Sequence, residues 1–300
     1  MYDTIIIGAG IAGLTAAMYA ARKGMKYEIV SSEFGGQFNV SGEVSNYPGI
    51  ARTTGLQMLK EMQKQMDDNK VKVRLETAEK VEKKGKAFVV VTDKGRYDTR
   101  TVIIATGSTP RKLGVPGEKE FANKGVAYCA ICDGPLFRGM DVAIVGGGNS
   151  ALESVDFMEK IAKKIYVVNK GSEFAGHGMI KNVEKNKKVQ IIFGADTKEI
   201  VGEKLVSGLR YEKDGRMRQI KVGGVIVAIG RKPATEAFRG LLALEEDDGH
   251  IKIDCQGRTS VPGIFAAGEC AAGHEYQYVI SAGQGCVALI KAARYLAGEK

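Results

Sequence analysis

A glycine-rich loop between a strand and a helix occurs twice in this chain, and it limits the possible folds more than any other sequence feature. The first copy joins the apolar run at residues 4–7 to the loop GAGIAG at residues 8–13, and a helical pattern follows. A second apolar run at residues 27–31 then leads to Glu33. This order of strand, glycine loop, helix, strand and acid is typical of a dinucleotide-binding unit.

The loop contains three glycines, Gly8, Gly10 and Gly13, and each has a physical reason. Glycine permits a tight turn, and its missing side chain lets a pyrophosphate group approach the backbone. The helix that follows offers free N–H groups and the positive end of its dipole to the anion. The loop alone is a weak indicator, but the flanking strands and helix make it a specific one.

The second copy has the same order. An apolar run at residues 141–145 leads into the loop GGGNSA at residues 146–151, and a helix and an apolar strand at residues 165–169 follow. Both copies close on similar segments, VIIATG at residues 102–107 and VIVAIG at residues 225–230. Two such units imply two nucleotides, which excludes most dehydrogenases that use a single cofactor.

The domain organisation follows from two linker-like segments, at residues 114–117 and 231–240. The last part of the chain again has the apolar strands and glycines that are typical of the first unit. We therefore predict an α/β protein with two Rossmann-like domains. The first is discontinuous, residues 1–113 and 237–300, and the second is inserted, residues 114–236. The two linkers would then lie together and could act as a hinge.

The net charge of +9 comes with a lysine-rich stretch at residues 60–86 that is interleaved with acids. This mixture favours a solvated face over a nucleic-acid surface, because aromatic and basic residues do not alternate there. The uncharged run at residues 4–21 approaches the length of a membrane span, but the glycine loop inside it explains the run better. Asp3 stands where a signal peptide would carry cations. We therefore expect a cytoplasmic protein that binds neither nucleic acid nor membrane.

The five cysteines include one closely spaced pair, Cys129 and Cys132, with Asp133 directly after it. An odd count without a secretion signal argues against a disulfide scaffold, and we expect the other three cysteines to be buried or inert. Two cysteines at this spacing can close a disulfide when a turn or a helix start brings them together, and a helix N-terminus lowers the pKa of a thiol there. Asp133 is then a candidate proton donor and acceptor, with a plain turn or capping role as the alternative.

A structural metal site is the alternative interpretation of the cysteine pair. Zinc normally takes four ligands, and the sequence has neither a second CxxC nor a closely spaced pair of histidines. The three histidines, His177, His250 and His274, are scattered along the chain. The pattern therefore favours redox chemistry and predicts no bound metal.

Together these features resemble the low-molecular-weight thioredoxin reductases of bacteria and archaea, class II of the pyridine nucleotide-disulfide oxidoreductases, over essentially all 300 residues. Further matches are GGQ at residues 35–37, NYPG at 46–49, CAICDG at 129–134, GIFAAG at 263–268, Gln277, and AGQGC at 282–286. The resemblance implies that the first domain holds FAD and that NADH or NADPH binds the second.

The resemblance also implies which residues contact each nucleotide. The expected FAD contacts are Gly8, Gly10, Gly13, Glu33, Gly35, Gly36, Gln37, Asn46, Thr106, Gly107, Gly268, Glu269, Tyr276, Gln277 and Tyr278. The expected contacts of the nicotinamide nucleotide are Gly146, Gly148, Asn149, Ser150, Ala151, Asn169 and Lys170.

Three catalytic residues are implied in the same way: Cys129, Cys132 and Asp133. Cys132 would lie nearer the flavin, and Cys129 would attack the disulfide of a thioredoxin-like or glutaredoxin-like protein. A domain rotation about the paired linkers would alternate access to flavin and partner. A homodimer is typical of the relatives.

The sequence departs from the family where the reductant binds. In NADPH-using relatives the strand after the second glycine loop is followed by His-Arg-Arg and a further Arg, which bind the 2′-phosphate. Here those positions hold Asn169, Lys170, Gly171 and Ala175. Since one lysine replaces a cluster of forked donors, we expect NADH to be preferred over NADPH, with neither excluded. The alternative is a vestigial second site, with electrons from a deazaflavin or from an acidic ferredoxin that suits the basic net charge.

Two departures also occur near the expected flavin. Glu269 stands where the family has Asp, and it keeps a carboxylate that can contact the ribityl chain. The alternative interpretation is that Glu269 is an exposed acid in a loop. Tyr276 and Tyr278 replace the usual Arg and Ala around Gln277, and a tyrosine there could stack against the flavin ring.

Two other functions remain open. The segments at residues 34–37 and 134–137 also resemble the flavoprotein component of alkyl hydroperoxide reductase, which carries an extra N-terminal thioredoxin-like domain, whereas strand one begins here at residue 4. The substrate would again be a separate small dithiol protein. A nucleotide-binding redox sensor without turnover is compatible with two glycine loops, but the CxxCD segment argues against it.

Overall fold

The computed structural model describes residues 1–175, 180–273 and 275–298. The chain splits into two compact units, Met1–Thr109 with Lys232–Lys300, and Pro110–Arg231. Of the three histidines, His177 and His274 lie outside the described residues. Among the described residues, no helix is long and apolar enough to cross a bilayer.

The elements are numbered in chain order. The helices are α1 (Ile11–Arg22), α2 (Gly55–Asp68), α3 (Ala130–Asp133), α4 (Asn149–Met158), α5 (Ile180–Lys185) and α6 (Tyr278–Leu296). The strands are β1 (Tyr2–Ala9), β2 (Tyr27–Phe34), β3 (Glu43–Val44), β4 (Thr53–Thr54), β5 (Val73–Leu75), β6 (Ala78–Lys84), β7 (Ala87–Thr92), β8 (Arg96–Ile104), β9 (Ser108–Pro110), β10 (Val126–Ala127), β11 (Asp141–Val145), β12 (Lys164–Asn169), β13 (Val189–Phe193), β14 (Asp196–Gly202), β15 (Val206–Lys213), β16 (Arg216–Ile220), β17 (Gly224–Val227), β18 (Arg231–Pro233) and β19 (Ile264–Ala266).

The first unit is built on a sheet with β1 at its centre. The parallel strands lie in the order β5-β2-β1-β8-β19, and the first half of β8 pairs antiparallel with β7, which in turn pairs with β6. Residues 5–7 of β1 are buried, as expected for a parallel strand that is covered on both faces. One of those faces packs against the apolar sides of α1 and α6.

The second unit repeats this plan. Its parallel strands lie in the order β13-β12-β11-β17-β10, and a separate antiparallel sheet has the order β14-β15-β16. In both units the central strand leads into the glycine loop and then a helix. The predicted fold, two Rossmann-like domains of which the first is discontinuous, is therefore confirmed.

The glycine that opens each loop has the same structural reason. Gly8 has φ +109°, and a Cβ added there would lie 2.2 Å from the carbonyl oxygen of Ala105. Gly146 has φ +143°, and its added Cβ would lie 2.2 Å from the carbonyl oxygen of Ala228. Any larger residue would push the loop away from the strand that closes the unit.

The chain passes between the units along two segments that pair with each other, β9 and β18. At one end of this pair, the Ala234 N–H donates to Gly107 O at 3.0 Å and the Thr106 hydroxyl donates to Ala234 O at 2.7 Å. At the other end, the Arg111 N–H donates to Gly230 O at 3.0 Å. The two connections therefore run side by side.

Candidate redox and nucleotide sites

The first glycine loop forms an open cradle at the start of α1. Gly10 is the N-cap residue and offers no side chain, so the first N–H groups of α1 are left for a ligand or water. Among the described residues, a Cβ added at Gly10 would meet no atom within 4 Å, whereas one at Gly13 would lie 1.8 Å from Gly8 O. The loop is thus tight against its own backbone and open towards the outside, which fits a pyrophosphate group.

The segment after β2 lies beside this cradle. The Gly35 N–H donates to Ala9 O at 2.8 Å, and a Cβ at Gly36 would approach the Cα of Gly10 to 3.2 Å. Glu33 is exposed near the carboxyl end of β2, where the fold places a ribose. The structure therefore brings these predicted FAD residues to the same edge of the sheet as the glycine loop.

Ser108 connects two of the predicted residues and was not itself predicted. Its hydroxyl donates to Glu269 Oε2 at 2.8 Å, and its carbonyl oxygen accepts from the Gln37 side-chain amide at 2.9 Å. Glu269 is half-buried, so its side chain is part of this network rather than an exposed loop acid. The neighbouring Gly268 has a tight approach to α1, since its added Cβ would lie 3.1 Å from Ala12 Cβ.

Two further predicted FAD residues, Gln277 and Tyr278, lie at the start of α6, and Tyr276 directly precedes them. Gln277 is the N-cap residue of α6, and its side-chain oxygen accepts from the Asn46 amide at 3.1 Å. Tyr278 stacks on Phe38 with ring centroids 4.8 Å apart, and its hydroxyl bonds to Ser41. Tyr276 points elsewhere: its hydroxyl lies 2.9 Å from Nε2 of His250. The two tyrosines around Gln277 therefore have different protein partners.

The cysteine pair is a disulfide at the start of α3. Cys129 is the N-cap residue, and its Sγ accepts from the Cys132 N–H at 3.2 Å. The Cα atoms are 5.3 Å apart, and both residues are half-exposed. Asp133 follows in the same turn, and burial raises the pKa of its carboxyl to about 6 from an ordinary value of 3.8. A carboxyl with that pKa can hold or release a proton near neutral pH.

A buried carboxylate supports the chain that leads to Cys129. Glu118 accepts from the Leu113 N–H at 3.0 Å, the Gly114 N–H at 2.8 Å and the Tyr128 hydroxyl at 3.0 Å. Lys112 Nζ lies 3.5 Å from the centroid of the Tyr128 ring. Burial, followed by the bond to Glu118, raises the pKa of Tyr128 and keeps its phenol neutral. Tyr128 directly precedes Cys129, so this cluster fixes the backbone on one side of the disulfide.

The remaining cysteines differ from one another in exposure. Cys270 is buried, as expected, and burial raises the pKa of its thiol, which disfavours the reactive thiolate. Cys286 is half-buried, while Cys255 is exposed. Within residues 1–175, 180–273 and 275–298, no group of three or more His, Cys, Asp or Glu side chains is arranged to hold a metal.

The second glycine loop leads into α4 in the same manner as the first. Gly148 is the N-cap residue, and Asn149 and Ser150 are exposed at the first turn. Ala151 takes the place of the third glycine, and it is buried against the added Cβ position of Gly146 at 3.4 Å. The loop and the start of α4 thus place a helix N-terminus at the end of β11, as a phosphate site requires.

Asn169 ends β12, but its side chain turns inward to its own loop. The amide nitrogen donates to Glu173 O at 2.8 Å, and the amide oxygen accepts from the Gly171 N–H at 3.0 Å. The residue is 7% exposed. A Cβ at Gly147 would lie 2.2 Å from the amide nitrogen of Asn169. Asn169 therefore shapes the loop beside the glycine motif, in addition to any contact with ribose.

Lys170 is exposed and lies beside acids. Its Nζ is 3.3 Å from Asp196 Oδ1, and Asp196 also pairs with Lys198 at 2.8 Å. Lys198 in turn lies 3.3 Å from Glu212 Oε2. These bonds, chiefly the one from Lys198, lower the pKa of Asp196 and keep it charged. The lysine that replaces the arginine cluster thus shares its surroundings with a carboxylate.

Comparison with known proteins identifies the family. The profile of the pyridine nucleotide-disulphide oxidoreductases matches residues 2–294. The chain belongs to the pyridine nucleotide-disulphide oxidoreductase family. Membership of this family implies FAD and a nicotinamide nucleotide, without distinguishing NADH from NADPH.

Two relatives show how the family varies around this chain. The thioredoxin reductase of Mycolicibacterium smegmatis is 38% identical over 308 residues, which cover 100% of this chain and 98% of the relative. The F component of the alkyl hydroperoxide reductase of Staphylococcus aureus strain MSSA476 is 37% identical over 300 residues, which cover 98% of this chain and 59% of the relative. The chain therefore spans little more than half of the second relative.

Solved structures agree with this assignment. A thioredoxin reductase from Streptococcus pyogenes MGAS5005 matches with a TM-score of 0.92 and 36% identity, and the match covers 99% of each chain. A ferredoxin-flavin thioredoxin reductase from Clostridium acetobutylicum matches with a TM-score of 0.55 and 29% identity, again over 99% of each chain. The predicted family, fold and enzyme class, an oxidoreductase of the thioredoxin reductase type, are confirmed.

Three residues of this oxidoreductase were missed by sequence reasoning: Ser108, Glu118 and His250. Ser108 directly follows the segment VIIATG at residues 102–107, so its position near the site was available from the motif. Glu118 and His250 carry no local signal, because their partners are defined only by the tertiary fold.

Proposed function

We propose that this oxidoreductase reduces a small dithiol protein of the thioredoxin or glutaredoxin-like type through the disulfide of Cys129 and Cys132. The observation that carries the proposal is this disulfide at the start of α3, beside a carboxyl whose pKa is raised to about 6, in a chain with two glycine-loop nucleotide units. A structural disulfide would have no use for an adjacent proton donor that titrates near neutral pH.

The residues of the first unit fit FAD. The cradle at Gly8 to Gly13 leaves no space for side chains at Gly8 and Gly13, and it is open at Gly10. Ser108 and Glu269 supply a fixed hydroxyl and carboxylate at the same sheet edge, where they can hold the sugar chain. Bound FAD supplies two-electron chemistry between a nicotinamide and a disulfide.

The dithiol chemistry follows from the two cysteines and Asp133. Reduction of the pair takes two electrons and two protons and breaks the bond between the sulfur atoms. The Cys129 thiolate then attacks the partner's disulfide and forms a mixed disulfide, and one partner thiolate leaves. The Cys132 thiolate attacks Sγ of Cys129, which releases the second partner thiol and restores the Cys129–Cys132 bond. Asp133 gives and takes the proton of one thiol in this cycle.

For the donor, we infer a preference for NADH over NADPH. Lys170 is paired with Asp196, so the site offers a carboxylate as well as a cation at the end of β12. A 2′-phosphate carries about two negative charges, and a nearby carboxylate repels it. The uncharged ribose of NADH meets no such repulsion. The amide of Asn169, already bonded within its loop, adds no positive charge.

One alternative donor and one alternative substrate are each favoured by a specific observation. The net charge of +9, together with the similarity to a ferredoxin-flavin thioredoxin reductase, favours an acidic ferredoxin as an alternative donor. The similarity to the F component of alkyl hydroperoxide reductase favours a glutaredoxin-like module as an alternative dithiol substrate. The resemblance to thioredoxin reductases also supports a homodimer that works in the cytoplasm, and light scattering of the purified protein tests the dimer.

The donor is tested by anaerobic mixing of the FAD-loaded protein with NADH, NADPH and reduced ferredoxin in separate experiments, while flavin bleaching is followed. We expect fast bleaching by NADH at micromolar concentration. Faster bleaching by NADPH or by ferredoxin would contradict the donor preference. Steady-state assays with thioredoxin and with a glutaredoxin-like protein then identify the substrate, and failure to reduce either would contradict the proposed function.

A further inference from the structure

Three side chains of the first unit, Asp248, His250 and Tyr276, lie in a line that ends at the predicted flavin site, with a close contact between the first two and a hydrogen bond between the last two. Nδ1 of His250 lies 2.7 Å from Asp248 Oδ1, and Nε2 of His250 lies 2.9 Å from the hydroxyl oxygen of Tyr276. His250 is 3% exposed, whereas the Asp248 side chain is 49% exposed. The line therefore runs from a carboxylate in water through a buried imidazole to a phenol.

The backbone holds His250 rigidly in this position. Its own N–H donates to Asp248 Oδ1 at 3.1 Å, and its carbonyl oxygen accepts from the Glu245 N–H at 2.8 Å. The next residue, Ile251, bonds to Cys270 O and accepts from the Ala272 N–H, both at 2.9 Å. His250 thus lies in a segment whose backbone is hydrogen-bonded to residues 270–272, a few residues before Tyr276.

The nearby carboxylate determines the direction of the hydrogen bond between His250 and Tyr276. A carboxylate beside Nδ1 favours the imidazole tautomer that carries its proton on Nδ1. Nε2 is then an acceptor, and the Tyr276 hydroxyl donates to it. The bond therefore fixes the rotation of the phenol O–H as well as the position of the ring, whose centroid is 6.0 Å from that of His250.

Tyr276 transmits this constraint to Gln277. The Gln277 N–H donates to Glu275 O at 3.1 Å in a tight turn, and the Gln277 side chain accepts from Asn46. Gln277 is also the N-cap residue of α6, and its carbonyl oxygen accepts from the Ser281 N–H at 3.0 Å. The turn at residues 275–277 therefore helps to set the position from which the Gln277 side chain reaches Asn46.

We propose that His250, oriented by Asp248, is a positioning residue that locks Tyr276 and thereby holds the Gln277 and Asn46 pair in place for the flavin ring. The proposal rests on the FAD site described under the proposed function. It assigns a role to a tyrosine at a position where the family usually has arginine, and it explains why a buried histidine accompanies that tyrosine.

A histidine that only fills the core would behave differently. Its removal would lower stability and leave the flavin environment unchanged. A positioning histidine changes the flavin environment, and so does Tyr276→Phe, which keeps the ring and removes only the hydroxyl. The visible spectrum of bound flavin, its midpoint potential and the Kd for FAD separate the two roles, because core packing alone does not move them.

The test uses the full chain loaded with FAD and the variants Tyr276→Phe, His250→Leu and His250→Gln. Asp247→Asn is the matched control, since Asp247 is an exposed acid next to Asp248. We expect Tyr276→Phe and His250→Leu to raise the Kd for FAD about three- to ten-fold, the effect of one lost hydrogen bond, and to shift the flavin absorption bands. His250→Gln keeps an acceptor for Tyr276 and should restore the wild-type spectrum and bring the Kd to within about two-fold of wild type.

The experiment distinguishes a failure of the positioning role from a failure of the proposed function. If the wild-type protein binds FAD but Tyr276→Phe has the spectrum, potential and Kd of Asp247→Asn, the positioning role is wrong while the FAD site stands. If the wild-type protein does not bind FAD at all, the proposed function itself fails. Because Tyr276→Phe removes a single oxygen atom, it keeps the test decisive even if His250→Leu does not fold.

Discussion

Nζ of Lys170 lies 3.3 Å from a carboxylate oxygen of Asp196, at the end of the strand where relatives that use NADPH carry arginines. The pair is exposed, so its own contribution to stability is small. Its effect on a charged ligand is larger, because a phosphate that approaches Lys170 also approaches Asp196. The donor preference that we propose therefore depends on an acid that lies 26 positions further along the chain.

Removing this acid should shift the donor preference. We expect Asp196→Asn to raise kcat/KM for NADPH about three- to ten-fold and to leave the value for NADH nearly unchanged, because one like charge near an exposed phosphate costs about 1 kcal/mol. Stopped-flow reduction of the flavin by both nucleotides measures the ratio. Asp214→Asn, an exposed acid of the same unit at the turn between β15 and β16, is the control. An equal gain in both variants would show that general surface charge is responsible.

Asp133 should control the rate of disulfide exchange. Substitution by Asn keeps the size of the side chain and removes the proton, so we expect turnover with thioredoxin to fall about 10²-fold, the lower end for lost acid–base catalysis. The pH profile of the wild type should show a limb near pH 6, where the carboxyl titrates. That limb should be absent from the profile of Asp133→Asn. A limb that persists in the variant would assign the titration to another group.

The same carboxyl predicts a pH dependence of stability with a defined sign. Burial raises its pKa in the folded protein to about 6, whereas the unfolded chain releases the proton near 3.8. The stability contributed by the protonated form is thus complete below about pH 4 and is lost as the pH rises through about 6. Relative to the wild type, Asp133→Asn should gain about 1–3 kcal/mol between pH 4 and pH 7. Urea unfolding of both oxidised proteins at the two pH values measures this difference.

The serine variants of the two cysteines should differ in whether they accumulate a mixed disulfide with the partner. Serine at either position should lower turnover about 10³-fold or more, since the pair acts as a unit. If Cys129 attacks the partner, Cys132→Ser should accumulate a mixed disulfide with thioredoxin, which non-reducing electrophoresis detects. Cys129→Ser should not, and Cys255→Ser, at an exposed cysteine outside the pair, should behave as the wild type. Trapping by Cys129→Ser alone would reverse the assigned roles.

Glu118 should be important for stability rather than for chemistry. It is buried and accepts two backbone N–H groups and the Tyr128 hydroxyl, so Glu118→Ala leaves three donors without their acceptor. We expect a loss of about 2–4 kcal/mol in the free energy of unfolding, and about 1 kcal/mol for Tyr128→Phe. Urea denaturation measures both, with the exposed Glu120→Ala as control. Similar losses for Glu118→Ala and Glu120→Ala would contradict the role of the buried carboxylate.

The parts of this fold that the sequence predicts are those with local causes. Gly8 and Gly146 are recognisable because a tight turn against the closing strand tolerates only glycine, and the flanking strands are short apolar runs. The cysteine pair is recognisable because three residues of separation suffice for a disulfide at the start of a helix. Each of these needs only its neighbours in the sequence.

The parts that the sequence does not predict depend on distant partners. Ser108 meets Glu269 across 161 positions, and Tyr276 meets His250 across 26. Neither contact leaves a periodic or spaced pattern, because each arises from the way the last segment of the chain returns to the first unit. The pairing of Lys170 with Asp196 was unforeseen for the same reason. Asp196 follows β13 in the chain, and it comes near Lys170 only because β13 lies beside β12.

The contact between Gly147 and Asn169 has a consequence for the history of the family. The amide of Asn169 occupies the space that any side chain at position 147 would need, and its two bonds within the loop prevent it from moving aside. Homologous chains that keep asparagine at position 169 should therefore never carry a residue larger than glycine at position 147. Homologous chains that carry histidine at position 169 must rebuild the turn at the same time. The two positions should evolve as a pair, so a change of electron donor along a lineage should be visible as a coupled substitution.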